Sequence, residues 1–392
     1  MVRSAATASF MLACSHAPVA DASDGNILLQ NDLRLRWEYA ETDALAEESE
    51  ALTLRMRPSV EIDPAPWLSL LAEADAIVSL LPDSRNGFTG GGDRPAIPDS
   101  EALELNRLQA QLRPVRDWTV TLGRQRVLFD DARFIGSADF RQNQQTLDAL
   151  ASSLVLSDNL VFQAGYIWQV NRFTGPRRAD GRIGSDSFYL RASLPSPAGR
   201  VGVFHYDLDI DPRAGPAHDS RTSGVRLDGR AFGDDVGLFW SATLARQASG
   251  GTETGYVQAG LDLNWRELSL AARLERLGSN DGVAFQTPLA SLHAFQGAAD
   301  IFAVTPADGI EDIELAATWR VGSAGPWRAI RLGVQLHDFA AAGSDRTYGR
   351  EFGAHASARW SDNIFSIEWA SYRAEGFASD TDKVWISLSR RF

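Results

Sequence analysis

The chemistry carried by this sequence is concentrated in arginine. Of its 38 basic residues only Lys383 is a lysine. A guanidinium is planar, stays charged and can hold a carboxylate through two parallel hydrogen bonds, so arginine suits a surface that handles oxyanions. The densest polar run is Arg124-Gln125-Arg126, followed by Arg133 and then Arg141-Gln142-Asn143-Gln144-Gln145. Consecutive bidentate donors and amides offer many exchangeable hydrogen bonds to carboxylates and hydroxyls. A conducting surface needs that property, because it must release what it binds. A solvated loop is the plain alternative for the same run.

Other chemistries find little support. His205, His218, His293, His337 and His355 are scattered, and neither an H-E-x-x-H nor a G-x-S-x-G pattern occurs, so no catalytic centre is expected. His205 and His337 read as pore-lining or rim residues. The acidic stretches 207–211 and 234–235 lack the Gly and Glu spacing of a calcium loop and read as solvated turns, although loop acids could collect calcium. No metal site and no cofactor are expected. A formal net charge of -13 argues against nucleic acid as a partner.

The elements that must position the arginines are strands. From about residue 32 to the C-terminus, apolar and polar residues alternate over segments of eight to eleven positions separated by turn residues. Leu33, Leu35, Trp37 and Tyr39 fall on one phase, and Arg34, Arg36 and Glu38 on the other. Leu52, Leu54 and Met56 likewise oppose Thr53, Arg55 and Arg57. About eighteen such segments can be counted, each long enough to cross a bilayer as a tilted strand. No blade-like repeat of fixed period is visible, which weakens a propeller. Tryptophans cluster near segment ends, among them Trp67, Trp118, Trp265, Trp319, Trp327 and Trp360, as a membrane interface favours. The expected fold is therefore all-β: a single antiparallel transmembrane β-barrel of about 18 strands with long extracellular or lumenal loops, chiefly 80–101 and 277–310.

Placing the apolar phase outward puts Arg34, Arg36, Arg55, Arg57, Arg191, Arg273, Arg331 and Lys383 in the lumen. Rings of such residues make a pore favour anions. The alternative is that they pair with lumenal acids such as Glu38, Glu73, Asp75 and Glu368 and stiffen the barrel.

Residues 1–22 resemble a secretory signal, with Arg3, an apolar stretch from Ala5 to Ala13 and the small-residue site Ala20-Asp21-Ala22. Cleavage there removes Cys14, the single cysteine, and leaves residues 23–392 as the barrel. The last strand sets Val384, Ile386, Leu388 and Phe392 on one phase. An amphipathic strand ending on Phe resembles the signal read by bacterial barrel-assembly machinery.

Two stretches, "LGRQRVLFDDARFIGSADFRQNQQTLDA" (122–149) and "FQTPLASLHAFQGAADIFAVTPADGIEDIEL" (285–315), resemble the alginate export family of outer-membrane barrels. The resemblance implies an eighteen-stranded monomer in the outer membrane, among lipid and lipopolysaccharide. It also implies gating loops and an arginine-rich constriction for a polyuronate, here Arg124, Arg126, Arg133 and Arg141 with Gln142 and Asn143. The expected solute is thus an anionic saccharide. A general or small-molecule anion or carbohydrate porin for uptake is the alternative, and a barrel without a pore is a third.

Overall fold

The structure is a computed structural model that describes residues 27–392 except 90, 157, 158 and 234. The signal-like segment 1–22, Cys14 and Asp234 lie outside the described residues. Twenty strands are present among the described residues, in chain order. They are β1 (Ile27–Thr42), β2 (Ser49–Ala65), β3 (Leu68–Ser79), β4 (Ala102–Val115), β5 (Trp118–Gln125), β6 (Thr146–Val155), β7 (Val161–Asn171), β8 (Arg182–Ser196), β9 (Gly199–Asp209) and β10 (Asp219–Phe232). There follow β11 (Val236–Ser249), β12 (Thr252–Trp265), β13 (Leu268–Leu277), β14 (Ser279–Asn280), β15 (Val283–Ala284), β16 (Ile310–Ala324), β17 (Trp327–Ala340), β18 (Thr347–Trp360), β19 (Asn363–Ala374) and β20 (Thr381–Arg391).

All but the two-residue strands β14 and β15 belong to one 18-stranded sheet in which each strand pairs antiparallel with its chain neighbour. The sheet closes where β1 meets β20, with Leu35 opposite Leu388 and Arg36 opposite Ser387. Closure removes both sheet edges, so the backbone donors and acceptors facing lipid are paired within the ladder. The amphipathic last strand is thus the closing strand.

Alternation sorts the side chains as the pattern predicts. On β1, Arg34, Arg36 and Glu38 are buried inside the barrel, while on β20 Lys383, Trp385 and Ser387 are buried opposite exposed Leu388. One rim carries tight turns at 66–67, 116–117, 197–198, 266–267, 325–326 and 361–362, together with the chain's last residue. Exposed Trp67, Trp118, Trp265, Trp319, Trp327 and Trp360 lie at this rim. Their amphipathic rings form one girdle of an apolar band, the architecture of an outer-membrane barrel. The opposite rim carries the long connections. Short turns mark the first rim as periplasmic and long loops mark the second as external.

Candidate functional site

Three long connections enter the lumen, 80–101 through its residues 97–100, and 126–145 and 278–309 through most of their length. The second falls on the polar run. It is not a solvated loop, because Arg133, Ser137, Gln142 and Asn143 are each almost wholly buried. Loops 126–145 and 278–309 are joined to each other by a parallel bridge between Ile135 and Leu289. Gly136 N donates to Leu289 O at 2.8 Å and Ser291 N to Ala132 O at 3.0 Å. A Cβ at position 136 would strike Ser291 Oγ, so this contact requires glycine.

Aromatic side chains fasten the joined loops to the wall. Phe134 packs against Phe204, Tyr256 and Phe285 with ring centroids 4.9, 5.2 and 6.2 Å apart. Phe302 packs against Phe339 at 4.7 Å and Phe377 at 5.3 Å. Such tilted, edge-on and stacked pairs add specific geometry to the area they bury.

Arginines complete the attachment. Arg133 donates from Nε to Glu275 on β13 at 2.6 Å, from Nη1 to Thr287 at 2.8 Å and from Nη2 to Gln296 at 3.1 Å. Arg226 on β10 meets Asp131 at 2.8 Å, and Arg191 on β8 meets Asp130 at 2.5 Å. Arg34 donates to Gln142 Oε1 at 2.8 Å and to the carbonyl of Asp139 at 3.2 Å. Arg57 binds Asp75 and also the Gln142 carbonyl, at 3.1 Å. Arg36 pairs with Asp99 of loop 80–101 at 3.4 Å, and Arg55 pairs with Asp32. One guanidinium with five donors can satisfy a loop carbonyl and a wall carboxylate together, which a lysine cannot match in fixed geometry.

The polar centre is a chain of charges across both loops. Arg141 reaches Glu38 on β1 at 3.3 Å and Asp300 at 2.5 Å. Asp300 accepts from His293 Nδ1 at 3.0 Å and faces Lys383 Nζ at 4.0 Å. The other ring nitrogen of His293 lies 3.7 Å from Glu368 on β19. Phe140 stacks on His293, and Arg36 lies over the Phe140 ring at 4.2 Å. Burial opposes a charge on His293, but the Asp300 and Glu368 carboxylates outweigh it and raise its pKa to about 9. Burial would likewise raise the Asp300 carboxyl, yet the His293, Arg141 and Lys383 charges hold it well below the usual carboxylate range.

The residues expected to meet solute therefore divide. Arg126 faces Asp139 at 3.6 Å and keeps 28% of its side chain accessible. Arg331 is exposed on the lumenal phase of β17. Lys383 and Arg191 retain about a tenth, at 11% each. Arg34, Arg36, Arg55, Arg133 and Gln142 are buried and act as fasteners of the loops or wall, Arg141 is held between Glu38 and Asp300, and Asn143 is buried with no side-chain hydrogen bond among the described residues. Arg124 is outside the lumenal row. It stands opposite Leu108 on β4 and Asp148 on β6, on the phase of the exposed Leu108, Leu122 and Leu150. There it binds Asp148 at 2.7 Å and donates to the Leu105 carbonyl at 3.0 Å, beyond the last β4–β5 pairing. His205 also departs from expectation, since it lies between buried Phe204 and Tyr206 and so points outward, bonded to Ser223 at 2.7 Å.

The wall also carries arginines that were not singled out. Arg320 on β16 stands directly opposite Arg331, and Arg328 on β17 opposite Arg359 on β18. The register places this group on the lumenal phase near the periplasmic rim, opposite in phase to the Trp327–Trp360 pair. None of the four has an ion pair among the described residues. Like charges directly across a ladder are unfavourable unless water or an anion compensates them. The alternation of 311–321 and 351–360 already put Arg320 and Arg359 inward, so the signal was present in the sequence.

No family model and no curated protein sequence matches the chain. Its fold matches solved structures from Pseudomonas aeruginosa. OpdL is 15% identical with a TM-score of 0.69, covering 93% of this chain and 98% of its own. OpdO is 13% identical with a TM-score of 0.71, covering 94% and 97%. OpdK with vanillate is 16% identical with a TM-score of 0.70, covering 93% and 98%. OpdK is described as an outer membrane protein. At these identities the likeness is one of fold. The resemblance of 122–149 and 285–315 to the alginate export family stands on those residues alone.

Proposed function

We propose that this chain is a monomeric outer-membrane channel, not an enzyme, that passes small carboxylate-bearing or otherwise anionic solutes. The observation that carries this reading is the arginine group Arg320, Arg328, Arg331 and Arg359, which faces the lumen without carboxylate partners among the described residues. Uncompensated cations on one wall raise the local concentration of anions and give them exchangeable contacts. The joined loops 126–145 and 278–309 favour a small solute over a polymer, since they subdivide the lumen and are pinned by buried ion pairs. The solved complex of OpdK with vanillate, an aromatic carboxylate, agrees with this class of cargo.

Reversal-potential measurements in planar bilayers test the proposal. The expected result is anion preference that falls in Arg331→Ala/Arg359→Ala; cation preference in the unaltered barrel overturns it. A polyuronate remains the second reading, because both segments that resemble the alginate exporters are the loops that cross the lumen. Oligouronates that block the current far below the concentration of monomeric uronate would favour it.

A further inference from the structure

Asp300 differs from the other lumenal carboxylates. Among the described residues the other ion-paired lumenal carboxylates meet one or two cations, as Asp75 meets Arg57 and Asp32 meets Arg55 and Arg391. Asp300 gathers three from three elements: Arg141 of loop 126–145 at 2.5 Å, His293 of its own loop at 3.0 Å and Lys383 of β20 at 4.0 Å. The site is partly open to the lumen, with 13% of the Asp300 side chain, 12% of His293 and 11% of Lys383 accessible.

The backbone is shaped to present this carboxylate. Gln296, Gly297 and Asp300 all have positive φ, at 51°, 82° and 57°. Non-glycine residues adopt that conformation at a cost and need surrounding contacts to hold it. Glu351 on β18 supplies them by accepting from Ala298 N at 2.6 Å and Ala299 N at 3.2 Å. A turn held from behind thus delivers a carboxylate into a cradle of cations. Around it Glu38, Asp99, Asp300 and Glu368 meet Arg36, Arg141, Lys383 and His293.

We propose that Arg141, His293 and Lys383 form a carboxylate-binding site of the channel that the chain's own Asp300 occupies as a tethered competitor, so that a solute carboxylate enters by displacing it. The site rests on the reading of the protein as an anion channel and adds where the anion is held and what keeps it weakly held. A tethered competitor lowers the affinity of a strong site, which suits conduction better than retention.

Block of single-channel current by benzoate, with benzamide as the uncharged control, tests this on the full-length barrel. Asp300→Asn keeps the shape and removes the competing charge. Benzoate is then expected to block at about tenfold lower concentration, as removal of one charge-assisted contact allows, while benzamide is unchanged. Lys383→Gln in the same background should reverse the gain. Asp262→Asn, which removes a carboxylate paired with Arg273 at 2.8 Å elsewhere on the wall, should leave benzoate block where it was. An equal shift in Asp262→Asn, or none in Asp300→Asn, overturns the tethered site. If the unaltered barrel prefers anions in either case, the channel reading survives; if it prefers cations and ignores benzoate, both fall. Asp300→Ser serves the same comparison should Asp300→Asn fail to assemble, as judged by heat-dependent gel mobility.

Discussion

Arg133 lies at the centre of a loop and Glu275 near the external end of β13, yet their side chains meet at 2.6 Å with 1% and 8% of each accessible. The pair ties loop 126–145 to β13, and the same guanidinium continues to Thr287 and Gln296 in loop 278–309. Two loops and one strand thus share a single charged fastener.

Removing one member should release the loops without opening the barrel. Arg133→Ala leaves Glu275 buried without its cation, and breaking such a pair costs about 3–5 kcal/mol. The strand ladder is untouched, so heat-dependent gel mobility should persist. Single-channel records should show larger conductance and more open-state noise, and a quiet channel of normal size would refute the role given to Arg133.

His293 gives a pH dependence with a definite sign. Its folded pKa, about 9, lies above the ordinary value, near 6.5 for an unperturbed histidine. The stabilisation is therefore complete below about 6.5 and is lost as pH rises through about 9. Loop 278–309 should hold its place at neutral pH and loosen in alkali. Conductance titrated from pH 7 upward should change near 9, and His293→Gln should abolish that step.

The arginines at the periplasmic end should act through long-range charge. Replacing Arg331 and Arg359 by alanine should lower the anion-to-cation permeability ratio severalfold in dilute salt. The difference should shrink at about 1 M salt, where the screening length is near 3 Å. A ratio unchanged in dilute salt would mean that these residues are a solvated rim and nothing more.

Arg124 provides the opposite expectation. It lies off the lumenal phase and binds Asp148 and the Leu105 carbonyl where β4 and β5 part. Arg124→Ala should leave ion selectivity unchanged and lower the temperature at which the barrel loses its compact gel form. A loss of anion preference in this variant would place the residue in the lumen after all.

These residues show how far one-dimensional pattern reaches. The phase of β1, β2 and β20 was legible because a strand repeats every two residues and one face meets lipid. Arg320 and Arg359 were legible on the same ground. Arg124 was misplaced because it opens a polar run, although it follows Trp118, Val120 and Leu122 on the outward phase of β5, the face to which its pairing with Leu108 and Asp148 assigns it. The run 126–145 carried composition without direction, and a polar stretch looks alike whether it is bathed in water or buried against other polar groups.

By itself the sequence determined the class of the fold, the near count of strands and the lumenal side of most wall residues, since each follows from local alternation and turn chemistry. Tertiary structure alone decided which arginines are spent on holding loops and which still face water. The reason is physical: a guanidinium takes its role from the carboxylates and carbonyls within about 3 Å of it, and in this barrel those partners lie up to 359 positions away along the chain, as between Asp32 and Arg391.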